Sequence, residues 1–226
     1  MRPMQELVGV VQAARFMPVV TIRAWEDAVP LGRALLAGGL PLAQVTFRTE
    51  VAQRAIMRLR AELPQLLVAA GTVLDVVTVE KAVDAGAALI VTPGFNPPVV
   101  DYCCERGIPI IPGANAPTEI ELARSRGLSL VNYFPAEASG GIRLLRAMAP
   151  PYVGIRYMPS GGITLDNLAA YLAVPEVTAC AGTWLATADA IAEQRFDAIE
   201  ANARATVELI GTLPAEGGPS ATPGGR

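Results

Sequence analysis

The sequence has no histidine, and among its eighteen basic residues Lys81 is the only lysine. Histidine is the commonest metal ligand and general base in proteins, so histidine-based metal binding and catalysis are both excluded. Any mechanism that needs a lysine amine has Lys81 as its one candidate. Because Lys81 lies inside a helical pattern, "VVTVEKAVDAG", we expect it on the outer surface of the fold.

Charge, cysteine and long apolar runs are also scarce. Only 17% of the residues are charged and the net charge is −3, which leaves no basic footprint for nucleic acid. Three cysteines make no disulfide framework, and adjacent Cys103 and Cys104 indicate a half-buried helix rather than a metal site. The chain shows neither a run of about 18 apolar residues nor a leader pattern. We therefore expect a cytoplasmic protein with no metal, cofactor, nucleic-acid or membrane partner.

What the sequence does contain is a regular alternation of short apolar runs and helical patterns. The runs cover 17–22, 42–47, 66–71, 88–92, 108–113, 129–134, 155–159 and 177–182. Continuously apolar strands are typical of a parallel sheet covered by helices. Eight such units predict an α/β fold of the (β/α)8 TIM-barrel type. The alternative is an open doubly wound sheet, but no GxGxxG fingerprint follows the first run.

The domain organisation predicted from the sequence is simple. A helix over about residues 4–14 precedes the barrel, and a single barrel domain is expected over 1–213. The segment 214–226 is rich in proline and glycine, so it is expected to form a disordered C-terminal tail.

Two glycine-bearing turns predict an anion site, because barrel chemistry sits where the strands end. "PSGGIT" follows the seventh run and "AGTW" follows the eighth, and both lead into helix starts. Their backbone N–H groups, with the hydroxyls of Ser160 and Thr183, are suited to a phosphate. The alternative interpretation is a pair of tight turns without a ligand.

A second candidate feature is Arg48, one strand away from Thr72. A guanidinium with a nearby hydroxyl suits a carboxylate, which the arginine can hold with two hydrogen bonds. The alternative is an ion pair between Arg48 and Glu50 or Glu137 at the rim of the barrel.

Several of these stretches resemble one family, the 2-keto-3-deoxy-6-phosphogluconate/4-hydroxy-2-oxoglutarate (KDPG/KHG) aldolases, over about residues 8–210. The matching stretches are "VTFRTE", "AAGTVL", "VTPGFN", "IPIIPGANAPTEIELA", "YFPAEASGG" and "PSGGIT". The resemblance implies a homotrimeric class I aldolase barrel. In that family a lysine on strand 6 forms a Schiff base with the pyruvate unit, and a glutamate on strand 2 shuttles protons.

The positions that bind substrate in the family have counterparts in this chain. The resemblance implies a keto acid or phosphorylated acid as the ligand, and the positions at the ends of the barrel strands are suited to bind one. The predicted substrate-binding residues are Arg23, Arg48, Thr72, Pro93, Phe134, Ser160, Gly161, Gly162, Gly182 and Thr183.

The two reacting positions of the family are different in this chain. Gln44 stands where the motif has the glutamate, and Asn132 stands where it has the Schiff-base lysine. An amide is neither basic nor nucleophilic, and glutamine cannot accept and return a proton as a carboxylate can. We therefore expect the imine chemistry of the family to be absent.

Three hypotheses remain open. The favoured one is a repurposed enzyme with non-imine chemistry, in which Gln44, Asn132 and Glu137 are the candidate catalytic residues. Tyr133 is a further proton donor to consider, although its place beside Asn132 on a strand should point it away. The others are a non-catalytic binding or assembly protein and an aldolase inactivated by drift or deliberate replacement.

Overall fold

The structure is a computed structural model and describes residues 4–214. Helices and strands alternate through these residues. The strands are β1 Phe16–Val20, β2 Leu42–Thr46, β3 Leu67–Gly71, β4 Leu89–Val91, β5 Ile110–Ile111, β6 Leu130–Tyr133, β7 Arg156–Pro159 and β8 Cys180–Gly182. The helices are α1 Met4–Ala14, α2 Ala28–Ala37, α3 Ala52–Glu62, α4 Val76–Asp84, α5 Pro97–Glu105, α6 Pro117–Ser125, α7 Gly141–Met148, α8 Leu165–Leu172, α9 Ala188–Ala192 and α10 Phe196–Thr212.

The strands are all parallel and form a closed ring. Six of them lie in the order β5-β4-β3-β2-β1-β8, and β6 pairs with β7. Single bridges join the two parts, from Gly113 to Asn132 on one side and from Ser160 to Ala181 on the other. This closed parallel ring, covered by helices, confirms the predicted (β/α)8 barrel.

The strands are shorter than the apolar runs that predict them, and β5 shows why. The run 108–113 leaves a strand of only two residues, Ile110–Ile111. Pro109 and Pro112 flank this pair, and proline has no N–H to give to a neighbouring strand. An apolar run therefore marks the strand, but the prolines set its length.

Alternate residues of each strand face the interior of the barrel. At the N-terminal end this interior is apolar, with Met17, Leu42 and Leu130 in one cluster. Leu7 and Val11 of α1 belong to the same cluster, so this helix covers the N-terminal end of the barrel. The predicted helix over 4–14 is confirmed, and its packing leaves the C-terminal end for a site.

The interior becomes polar towards the C-terminal end. Gln44 and Asn132 follow Leu42 and Leu130 by two residues, and a strand repeats its faces every two residues. Both amides therefore point inward. Tyr133 lies instead in the outer cluster, as its neighbouring position predicts, and its hydroxyl donates a hydrogen bond to the carbonyl of Gly141 at 3.1 Å.

The single lysine and the adjacent pair of cysteines lie where the sequence predicts them. Lys81 is exposed on α4, in the outer ring of helices. On α5, Cys103 is buried and Cys104 is exposed. Among residues 4–214, no helix combines the length and apolar character needed to cross a bilayer. The predicted tail lies outside the described residues except for Pro214.

Candidate active site

A cavity of about 290 Å³ lies at the C-terminal ends of the strands. It brings together most of the predicted site residues, which come from six different strands or the turns that follow them. Those lining it are Gln44, Arg48, Thr72, Pro93, Asn132, Phe134, Ser160, Gly161, Gly162, Gly182 and Thr183. Arg23 and Glu137 are not among the lining residues.

The side chain of Asn132 is committed to hydrogen bonds within the protein. It is only 4% exposed. Its Nδ2 donates to the carbonyl of Thr92 at 3.0 Å, and its Oδ1 accepts from the Ser160 hydroxyl at 2.6 Å. A neutral amide in these contacts ties together the ends of β4, β6 and β7. It offers neither a nucleophile nor a mobile proton to the cavity.

Ser160 is therefore not the free anion donor that its motif predicts. Its hydroxyl proton points to Asn132, and the residue is only 8% exposed. Of the two hydroxyls proposed for the anion site, that of Thr183 remains exposed. A buried hydroxyl donates to the nearest strong acceptor, which here is the amide oxygen of Asn132.

Gln44 is equally buried, at 7% exposed, but its amide is uncommitted. Its Oε1 has no hydrogen-bond partner in the described chain. The side chain lies flat against Gly71, where a Cβ atom would stand 2.3 Å from Nε2. The glycine at the end of β3 thus makes room for the glutamine, which is one of the residues that line the cavity.

Arg48 and Thr72 lie together on the wall of the cavity. Arg48 is exposed and has no partner among residues 4–214, so the alternative of a rim ion pair with Glu50 or Glu137 is not observed. Thr72 has a φ of +57°, a conformation that a β-branched residue adopts at a cost. Strain of this kind is concentrated at functional sites.

The turn after β7 is shaped by two glycines in the left-handed region. Gly161 has a φ of +87° and Gly162 of +84°. Asn167 holds the turn from within the next helix, since it donates to the Gly162 carbonyl at 2.9 Å and accepts from the Thr164 N–H at 2.8 Å. The turn thus leads directly into the N-terminus of α8, which is a favourable place for an anion.

The two predicted residues that do not line the cavity are held by other partners. Arg23 forms an exposed ion pair with Asp189 at 2.8 Å. Glu137 accepts a hydrogen bond from the Tyr171 hydroxyl, and its methylene groups cover Gly162. Burial, and then this hydrogen bond, raises the pKa of Tyr171 above its ordinary value. Glu137 therefore lies behind the glycine turn rather than beside a ligand.

The structure adds residues that the sequence did not select. Trp184 lines the cavity, and its indole N–H is buried without a hydrogen-bond partner among the described residues. The tryptophan in the "AGTW" turn was a visible signal for it. Thr164, at the start of α8, also lines the cavity. Among the lining residues that the structure describes, only Arg48 has an ionisable side chain.

The fold and the cavity define a (β/α)8 barrel with a polar site at the ends of its strands, the usual place for barrel chemistry. Residues 8–202 match the family model of the KDPG and KHG aldolases. The chain therefore belongs to the KDPG/KHG aldolase family, which confirms the resemblance seen in its motifs.

Curated relatives match over nearly their whole length. A 2-dehydro-3-deoxy-phosphogluconate aldolase of Treponema pallidum is 47% identical over 89% of this chain and 96% of its own. A KHG/KDPG aldolase of Escherichia coli K12 is 40% identical over 85% of this chain and 90% of its own.

Solved structures of the family share the fold. KDPG aldolase from Legionella pneumophila, with pyruvate captured as a covalent carbinolamine, has a TM-score of 0.85 and 33% identity. It aligns over 88% of this chain and 97% of its own. The Zymomonas mobilis aldolase with 3-phosphoglycerate has a TM-score of 0.83 and 32% identity, over 90% and 96% of the two chains.

The hydrogen bond from Ser160 to Asn132 predicts a measurable loss of stability. The change Ser160→Ala leaves the buried Oδ1 of Asn132 without a donor, which costs about 1–3 kcal/mol. Thr183→Ala, on the neighbouring turn, removes an exposed hydroxyl and should change stability by less than about 0.5 kcal/mol. Urea unfolding of both variants measures the difference. Equal stabilities would show that the Ser160 contact is not formed.

Proposed function

We propose that this chain binds a phosphorylated acid in the barrel mouth and does not form an imine with it. In this proposal Asn132 and Gln44 occupy the positions of the Schiff-base lysine and the proton-shuttling glutamate of the family. One observation carries the proposal: within residues 4–214, the cavity has two glycine turns and the unpaired guanidinium of Arg48, and Arg48 is its sole ionisable lining residue. The site is equipped to hold an acid and lacks an amine to attack it.

The carboxylate of the ligand is proposed to bind at Arg48 and Thr72. A guanidinium forms two parallel hydrogen bonds to a carboxylate, and a hydroxyl beside it fixes the orientation. The free state of Arg48 and the strained backbone of Thr72 both support this assignment. Pyruvate in the Legionella relative makes a keto acid the alternative to a phosphorylated acid at this position.

The phosphate is proposed to bind between the turns after β7 and β8. The backbone of Gly161 and Gly162, the N-terminus of α8 and the hydroxyl of Thr183 would supply the hydrogen bonds. Gly182 and Phe134 contribute to the walls of the same space. The 3-phosphoglycerate of the Zymomonas relative supports this choice, since it carries both a carboxylate and a phosphate.

The absence of imine chemistry rests on where the amines and amides lie. Asn132 cannot attack a ketone, and its amide is already hydrogen-bonded to the Thr92 carbonyl and the Ser160 hydroxyl. Lys81 is exposed on α4, outside the ring of strands, so it does not line the cavity. A retro-aldol reaction through a Schiff base therefore has no nucleophile among the described lining residues.

Trapping with pyruvate and borohydride tests this directly. We expect no reduced pyruvyl adduct on the native chain, measured by intact mass. The double variant Gln44→Glu/Asn132→Lys restores an amine and a carboxylate in the same pocket, and we expect it to form the adduct. A native adduct that persists in Lys81→Ala but is lost in Arg48→Ala would mean that an α-amino group reacts with an acid held in the pocket, and it would contradict the proposal.

Binding of 3-phosphoglycerate tests the acid site. We expect Arg48→Ala to weaken binding tenfold or more, because hydrogen bonds to charged groups contribute about 1.5–3 kcal/mol. Arg33→Ala is the matched control, since Arg33 is exposed on α2 and does not line the cavity. Isothermal titration calorimetry measures both. Equal affinities for the two variants would remove Arg48 from the site.

A repurposed enzyme with non-imine chemistry is the second candidate, and one observation favours it. The free amide of Gln44 could donate to an oxyanion that develops on a bound keto acid. The proton carriers considered from sequence are not in the cavity, because Glu137 lies behind Gly162 and Tyr133 faces outward. A proton would have to move through solvent or the ligand itself.

Hydrogen exchange separates the two candidates. A binding protein should leave the methyl protons of pyruvate exchanging with D₂O at the rate of the buffer, as measured by proton NMR. Exchange that the chain accelerates, and that Arg48→Ala abolishes, would establish enolisation and favour the enzyme.

The homotrimer, the cytoplasmic location and the boundary at 213 remain part of the proposal.

A further inference from the structure

Among residues 4–214, Gln44 is a buried polar side chain of the cavity wall whose amide oxygen has no hydrogen-bond partner in the protein. Asn132, Ser160 and Thr92 satisfy one another, and the Thr92 hydroxyl also donates to the Gly94 carbonyl at 2.7 Å. Gln44 is as deeply buried as these residues, yet its Oε1 has no partner. Buried polar groups in native proteins are nearly always hydrogen-bonded, so this amide marks a place for a ligand or water atom.

The chemistry of an amide determines what that atom must be. A glutamine side chain offers a donor and an acceptor side by side, whereas an ionised carboxylate in the same place only accepts. A ketone oxygen can accept from the NH₂ group but leaves Oε1 unmet. A hydroxyl group can accept from Nε2 and donate to Oε1, so it satisfies the amide completely.

The position of Gln44 indicates which carbon carries this hydroxyl. Gln44 is on β2, and Arg48 follows the end of the same strand at the mouth of the cavity. A carboxylate held at Arg48 places its neighbouring carbon on the inner side, towards the amide. Trp184 also lines the cavity, and its buried N–H has no partner among the described residues.

We propose that the ligand is a phosphorylated 2-hydroxy acid, and that Gln44 selects it over the matching 2-keto acid. This inference rests on the proposed function, since it assumes that the acid binds at Arg48. It assigns to Gln44 the role of a specificity-determining residue that hydrogen-bonds the hydroxyl. The two amides of the site then have separate roles, because Asn132 holds strands together and Gln44 forms hydrogen bonds to the hydroxyl of the ligand.

A matched pair of probes tests the selection. 3-Phosphoglycerate and 3-phosphohydroxypyruvate differ only in a hydroxyl or a ketone at the second carbon. We expect the native chain to bind the hydroxy acid about tenfold more tightly by isothermal titration calorimetry, which corresponds to about 1.4 kcal/mol. Equal affinities, or tighter binding of the keto acid, would overturn the inference and leave the acid site intact.

The variant Gln44→Met tests the residue itself. Methionine matches the length of glutamine but has no donor or acceptor of comparable strength. We expect affinity for 3-phosphoglycerate to fall about tenfold while that for 3-phosphohydroxypyruvate stays within twofold. Gln65→Met is the control, because Gln65 is exposed at the opposite end of the barrel. A preference that survives in Gln44→Met would overturn the assignment.

The native measurement does not depend on any variant folding. If neither probe binds the native chain, the acid site is absent, and the proposed function and this inference both fail. If both bind equally, only the selection by Gln44 fails. Melting curves of each variant identify those that have lost their fold, and the native comparison then decides alone.

Discussion

Asn132 forms the hydrogen bonds that close the ring of strands between β5 and β6. Its backbone N–H donates to Pro112 at 2.8 Å and its carbonyl accepts from Ala114 at 2.9 Å, which joins β6 to the turn after the two-residue β5. Its side chain continues the seam to Thr92 and Ser160. In an interior of low dielectric such linked hydrogen bonds strengthen one another. The geometry of the cavity wall on this side therefore depends on Asn132.

The two amides show why similar residues at similar positions can differ in role. In sequence, Gln44 and Asn132 are equivalent, since each stands two residues after an interior leucine near the end of a strand. In the structure, Asn132 meets the carbonyl of Thr92 after β4 and the hydroxyl of Ser160 after β7. Gln44 meets the bare backbone of Gly71, which gives it space but no partner. The residues at the ends of the nearby strands therefore decide which amide is hydrogen-bonded within the protein and which has an unpartnered oxygen.

Most of the fold and much of the site could be predicted because they follow from local rules. Apolar runs predict the strands, and the ends of parallel strands must meet at one edge, so Arg48, Thr72 and the glycine turns converge. The placement of Arg23 and Glu137 could not be predicted. Their partners, Asp189 and Tyr171, lie far away in the chain, and only the folded arrangement brings them close. The hydrogen bond from the Ser160 hydroxyl to Asn132 could not be predicted for the same reason, since the two residues are far apart in the chain.

Arg15 joins the two ends of the described chain. It connects α1 to β1 with a φ of +56°, and its Nη1 donates to the carbonyl of Pro214 at 2.8 Å. Helix α1 covers the N-terminal end of the barrel, so both ends are held on the side away from the cavity. Attachment to a surface or a second protein through a residue near Met4 or Pro214 would leave the mouth facing solvent.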